Sequence, residues 1–86
     1  MKVYVYKEYC DTEAYGEEYI EVFEDFDDAK KFLKERVEGY FETEWENVSI
    51  DSDDTFEEDY VSIYDGNGAT FWIIEAYETI KKGEKV

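Results

Sequence analysis

The chain has 86 residues with 25 Asp and Glu against nine Lys and Arg, no His, no Pro and a formal net charge of −16. A body this anionic is repelled by nucleic acid and by anionic membranes, which excludes direct binding to either. The absence of His beside a single Cys removes the commonest general base and metal ligand, together with the Cys–His and Ser–His–Asp nucleophilic systems.

The length fits one domain spanning residues 1–86. Acidic chains that stay disordered are poor in aromatic residues, whereas nine Tyr, six Phe and two Trp here call for a packed core. Cys10 stands alone, so no internal disulfide forms, which fits a reducing compartment and a small strand residue. The first residues enter an apolar alternation with no leader pattern, and the longest apolar run, Phe71–Ile74, is too short for a bilayer. The expectation is a cytoplasmic protein whose self-repulsion is relieved by salt.

Taken in chain order, Met1–Cys10 (MKVYVYKEYC) alternates with Val3 and Val5 on one face and Tyr4 and Tyr6 on the other. Bulk on both faces predicts an inner strand. After turn formers at Asp11–Gly16, Glu17–Phe23 resumes the alternation, so the two runs read as a hairpin. The period then changes: Phe26, Ala29, Leu33 and Val37 fall at helical spacing behind Asp25 as N-cap. Asp27 and Asp28, with Lys30, Lys31, Lys34 and Arg36 following, match the helix macrodipole, and Asp27 and Lys31 form an i,i+4 pair. The helix is predicted to stop near Gly39.

Trp45–Ile50 (WENVSI) is predicted as a third strand, and Asp51–Asp59 (DSDDTFEED) as a polar loop broken by Phe56. Tyr60–Tyr64, then Asp65-Gly66-Asn67-Gly68, then Ala69–Ile80 read as a hairpin, since Asp-Gly and Asn-Gly favour the positive φ angles of tight turns. A frayed Lys-rich tail follows from Lys81. The order β-β-α-β-β-β predicts an α+β fold, an antiparallel sheet of four to five strands with one helix on one face.

No motif carries chemistry. Asp51-Ser52-Asp53-Asp54 offers clustered carboxylates but lacks the Gly and Glu of a helix-loop-helix calcium site, where Phe56 and Ser62 stand instead, so it reads as a solvated loop. Asp65–Gly68 is followed by no Lys-Ser/Thr and reads as a turn. Among 25 acids some pair falls at glycosidase spacing by chance. No enzymatic activity, no metal and no cofactor are expected. Single-strand binders set aromatics in a basic groove, so Tyr4, Tyr6, Trp72 and their neighbours read instead as core and a second, half-exposed sheet face.

The acid array remains. Glu8–Asp28 holds ten acids and Val37–Ile80 thirteen, neither with a single cation. Duplex DNA carries one charge per about 1.7 Å, so sixteen charges match roughly 27 Å of duplex. A compact domain of this length has a radius of gyration near ~12 Å and a span of about 30 Å. Alternate residues on one strand face lie about 6.7 Å apart, close to the phosphate repeat of one nucleic-acid strand. Carboxylates so placed fit a partner's phosphate pockets.

In size, charge and strand-strand-helix-strand layout the chain resembles small acidic phage-type DNA-mimic inhibitors, among them anti-CRISPR and anti-restriction proteins. MKVYVYKEY, VFEDFDDAKKFL and FWIIEAYE also resemble segments of short phage and bacterial proteins. The resemblance implies an inhibitor that fills the nucleic-acid-binding site of a basic protein such as a CRISPR effector, a restriction enzyme or a DNA-repair enzyme. The alternative is an acidic protein-binding module that docks on a basic partner without mimicry. A homodimer stays open. The contact surface is expected at Glu44, Glu46, Asp51, Asp53, Asp54, Glu57, Glu58 and Asp59, with Trp45, Phe56 and Tyr60 as aromatic anchors.

Overall fold

A computed structural model describes residues 2–12, 16–64 and 68–78. The elements are β1 (Lys2–Thr12), β2 (Gly16–Phe23), α1 (Phe26–Phe41), a 3-10 turn at Trp45–Asn47, β3 (Thr55–Glu57), β4 (Tyr60–Tyr64) and β5 (Gly68–Glu78). The strands form one antiparallel sheet in the order β2-β1-β5-β4-β3, and α1 packs on one face of it, an α+β fold. Both predicted hairpins form, and β1 is an inner strand as its two bulky faces require. The predicted turn at Asp65–Gly68 and the tail from Lys81 fall largely or wholly outside the described residues.

Register decides which face becomes core. Tyr6 lies opposite Ile74, and Trp72 lies between Glu8 of β1 and Val61 of β4, so these side chains share the face beneath the helix. Ala29, Leu33 and Val37, one stripe at helical spacing, close on Tyr6, Val61 and Trp72, all fully or almost fully buried. Aromatic pairs extend this contact at both ends of the helix: Tyr4 stacks on Phe26 at 5.1 Å between centroids, and Tyr40 meets Trp72 edge-on at 5.0 Å.

The helix begins as expected and ends differently. Asp25 is extended and its carboxylate accepts the Asp27 N–H at 2.8 Å. Gly39 does not stop the helix, which continues to Phe41 because Tyr40 and Phe41 both bury ring surface against Trp72. Glu42 then breaks it in the left-handed region (φ 55°, ψ 39°), a conformation that costs a residue with a Cβ about 1–2 kcal/mol. With the end at Phe41 the last turn holds no cation, so the macrodipole match is confined to the first turn. Asp27 pairs with Lys30 at i,i+3 rather than with Lys31.

The segment after the helix also departs from expectation. Trp45–Ile50 is not a strand: its first three residues form the 3-10 turn and the rest is irregular. The strand lies instead at Thr55–Glu57, inside the predicted polar loop, where Phe56 pairs with Val61 and turns its ring to the core side, edge-on to Trp45 at 4.1 Å.

The body measures 48 × 30 × 20 Å with a radius of gyration of 14.9 Å, longer than the compact span expected of this length. The cause is β1 and β5, each of 11 residues and therefore about 36 Å long. The described residues hold 22 acids and six cations, again a net −16, so the charge averages one per 3 Å along 48 Å. That is near the ~3.4 Å of one DNA strand and about half the density of the duplex.

Leu33→Ala is expected to cost about 2–5 kcal/mol, while Val22→Ala, on the opposite face, stays within about 0.5 kcal/mol. Urea unfolding of both variants measures this; equal costs would displace the helix from the proposed core face.

Candidate functional site

The acidic segment after the helix is built by backbone capture. The Glu38 carboxylate accepts the Trp45 N–H at 2.8 Å and so starts the 3-10 turn directly after the helix. Asp54 closes the next turn: its carboxylate accepts the Asp51 N–H and the Tyr64 N–H, both at 3.0 Å, tying the loop to β4. Asp54 is therefore half-buried and structural. Glu44, Glu46, Asp51, Asp53, Glu57, Glu58 and Asp59 are exposed, arranged along the loop and around the short β3–β4 turn at one edge of the sheet.

The three expected anchors do not form one patch. Trp45 and Phe56 pack on each other and on the core at the helix side, whereas Tyr60 lies across the sheet on the uncovered face, 36% exposed. Aromatic surface is thus offered on the face away from the helix, and the carboxylates ring its β3 edge.

Lys30 joins two acid runs that are far apart in sequence. Its ammonium lies 3.4 Å from Asp27 and 3.6 Å from Glu58, which places the first turn of α1 beside the β3–β4 turn. The remainder of the Glu8–Asp28 run is divided between the two sheet faces. Glu8 and Glu21 lie on the helix side, and Glu18 on the other.

Glu8 is committed to structure. Arg36 donates two hydrogen bonds to it, each 2.8 Å, and the Tyr6 hydroxyl donates a third. Burial by itself raises the Glu8 pKa, but these hydrogen bonds and the Arg36 charge outweigh it and hold the carboxyl below its ordinary value. Burial, then the hydrogen bond and charge of Glu8, push the Tyr6 phenol far up, and the Glu8 hydrogen bonds raise Arg36.

The uncovered face carries Val3, Val5, Lys7 and Tyr9 of β1, Ile20 and Val22 of β2, Phe71, Ile73 and Tyr77 of β5, and Tyr60 and Tyr64 of β4. Tyr9 stacks on Phe71 at 4.7 Å. The ion pair Lys7–Glu75, at 3.2 Å, leaves the centre of the face electrically neutral. Sequence periodicity does signal this face, because Val3, Val5, Ile20 and Val22 alternate with the core positions. It does not say that no described element covers it. Among the described residues no group of three acids, Cys or His is placed to hold a metal ion, and no helix is long and apolar enough to cross a membrane.

No protein-family model, curated protein or solved structure matches this chain.

Because the Glu8 pKa is lowered in the folded state, its stabilisation is complete above the unfolded value of about 4.5 and is lost as pH falls through the folded value. Glu8→Gln is expected to cost about 1–2 kcal/mol at pH 7, at the low end for charged hydrogen bonds because Arg36 is partly solvated. The cost should be smaller at pH 3, below that unfolded value. Chemical denaturation at both pH values measures it, and a difference independent of pH would separate Glu8 from the acid response.

Proposed function

We propose that this protein is a DNA-mimic inhibitor that occupies the nucleic-acid-binding site of a basic protein such as a CRISPR effector, a restriction enzyme or a DNA-repair enzyme, acting in the cytoplasm. One observation carries the reading: Lys30 bridges Asp27 and Glu58, so the acids at the start of the helix and those of the 44–59 segment adjoin on one mainly acidic surface, which also carries Lys31 and Lys34. Exposed carboxylates on this surface take the place of phosphates in a channel lined by Lys and Arg. The density of one net charge per 3 Å supports substitution for one strand in such a channel rather than for both.

A second reading, an acidic module docking on a basic partner without mimicry, is favoured by the aromatic face with its neutral centre, which has no counterpart on DNA. Competition separates the two. A mimic is excluded by DNA already bound to the target, whereas a module docking elsewhere is indifferent to it.

The informative variant replaces Asp51, Asp53, Glu57 and Asp59 by their amides. It spares Asp54, which holds the loop to β4, and Glu58, which pairs with Lys30. Against a panel of CRISPR effectors and restriction enzymes the wild type should inhibit stoichiometrically, and the variant should stay folded and bind at least tenfold more weakly, about 1.4 kcal/mol. Inhibition unchanged on a preformed target–DNA complex, or full-strength binding by the variant, would remove mimicry by this surface.

A further inference from the structure

The two edges of the sheet are finished differently. At one edge β3 is only three residues long and runs into Glu57-Glu58-Asp59, a short charged end of the kind that blocks pairing with another chain. At the other edge β2 is eight residues long and contains no Lys, Arg or Pro, and among the described elements only β1 and α1 touch it. No described element pairs with its outer row of N–H and C=O groups, which suits the addition of a further strand.

The side chains beside that row define what fits. Ile20 and Val22, 50% and 59% exposed, stand on the uncovered face at this edge, where they extend the apolar surface of β1. Glu18 stands on the same face, Glu21 on the helix side and Glu24 just past the strand, and from Glu8 to Asp28 no cation offsets them along the chain. A second copy is disfavoured as the occupant, because pairing β2 with itself joins two bodies of −16 and sets their glutamates at one seam.

We propose that the β2 edge is a strand-addition site for an extended, basic segment of a partner protein, alternating Lys or Arg with aliphatic residues. Main-chain hydrogen bonds to β2 give the affinity. Aliphatic side chains of the segment continue the surface at Ile20 and Val22, and its cations, which alternate to the helix side, meet Glu21. This site lies across the sheet from the 44–59 segment and does not depend on DNA mimicry.

The test uses a capped peptide of alternating Lys and Val matching the eight residues of β2, with a second peptide of the same sequence N-methylated at alternate backbone positions. Amide shifts on the intact protein should centre on Gly16–Phe23, and N-methylation should weaken binding at least tenfold while leaving side chains and charge unchanged. Ile20→Lys with Val22→Lys should weaken it by a similar factor, and the amide variant of Asp51, Asp53, Glu57 and Asp59 should bind as wild type. Equal binding of both peptides, shifts centred on residues 51–59, or a free protein that sediments as a dimer with protected β2 amides would overturn the proposal. The N-methyl comparison stands even if the double Lys variant fails to fold.

Discussion

The pairing of β1 with β5, running from Lys2 opposite Glu78 to Thr12 opposite Gly68, is the constraint on which the rest of the molecule depends. Each hairpin alone is a two-stranded ribbon, marginal in water. Joining them side by side, with β3 added along β4, makes one five-stranded sheet with a face wide enough for α1. The register of this pairing sets Tyr6 opposite Ile74 and Glu8 opposite Trp72, so the core and the Glu8–Arg36 tie fall on the same side. A slip of one residue would turn Tyr6 and Trp72 to opposite faces, which is why the heavy apolar load on both strands specifies the alignment strongly.

A chain this acidic must still fold against its own repulsion, and the placement of its few cations shows how. Arg36 ties the helix to β1 through Glu8, Lys30 ties the start of the helix to the β3–β4 turn, and Lys7 neutralises Glu75 on the uncovered face. These contacts sit where elements meet, while the unpaired acids lie at the periphery, where solvent and salt screen them. The protein is thus neutral at its junctions and anionic at its rim.

That division separates two kinds of surface. The 44–59 segment offers charge with little apolar anchor, since Trp45 and Phe56 are spent on packing. The uncovered face offers aromatic and aliphatic area around a neutral Lys7–Glu75 centre, with Glu18 and Glu57 toward its two edges, and it runs out to an edge strand that lacks the usual protective Lys or Pro. A partner that engages the first is selected by long-range electrostatics, and one that engages the second by main-chain and apolar contacts. The fold presents both without either interfering with the helix–sheet core.

The sequence by itself determined the elements whose cause is local. Alternation in β1, β2, β4 and β5, the helical stripe from Ala29 to Val37 and the Asp25 cap are properties of near neighbours, so they were legible without a structure, as was the α+β order. The acidic segment was legible as composition, but the roles inside it were not. Tertiary structure alone decided that Asp54 is a structural tie and Glu58 a partner of Lys30, because Tyr64 and Lys30 are distant in the chain. The same holds for the helix end and for β3. Tyr40 and Phe41 gained Trp72 as a packing partner and carried the helix past Gly39. Glu38 then captured the Trp45 N–H and took a candidate strand into a 3-10 turn, and Phe56, meeting Trp45 and Val61, moved the strand to Thr55–Glu57. Each outcome was set by a contact between residues that only the folded sheet brings together.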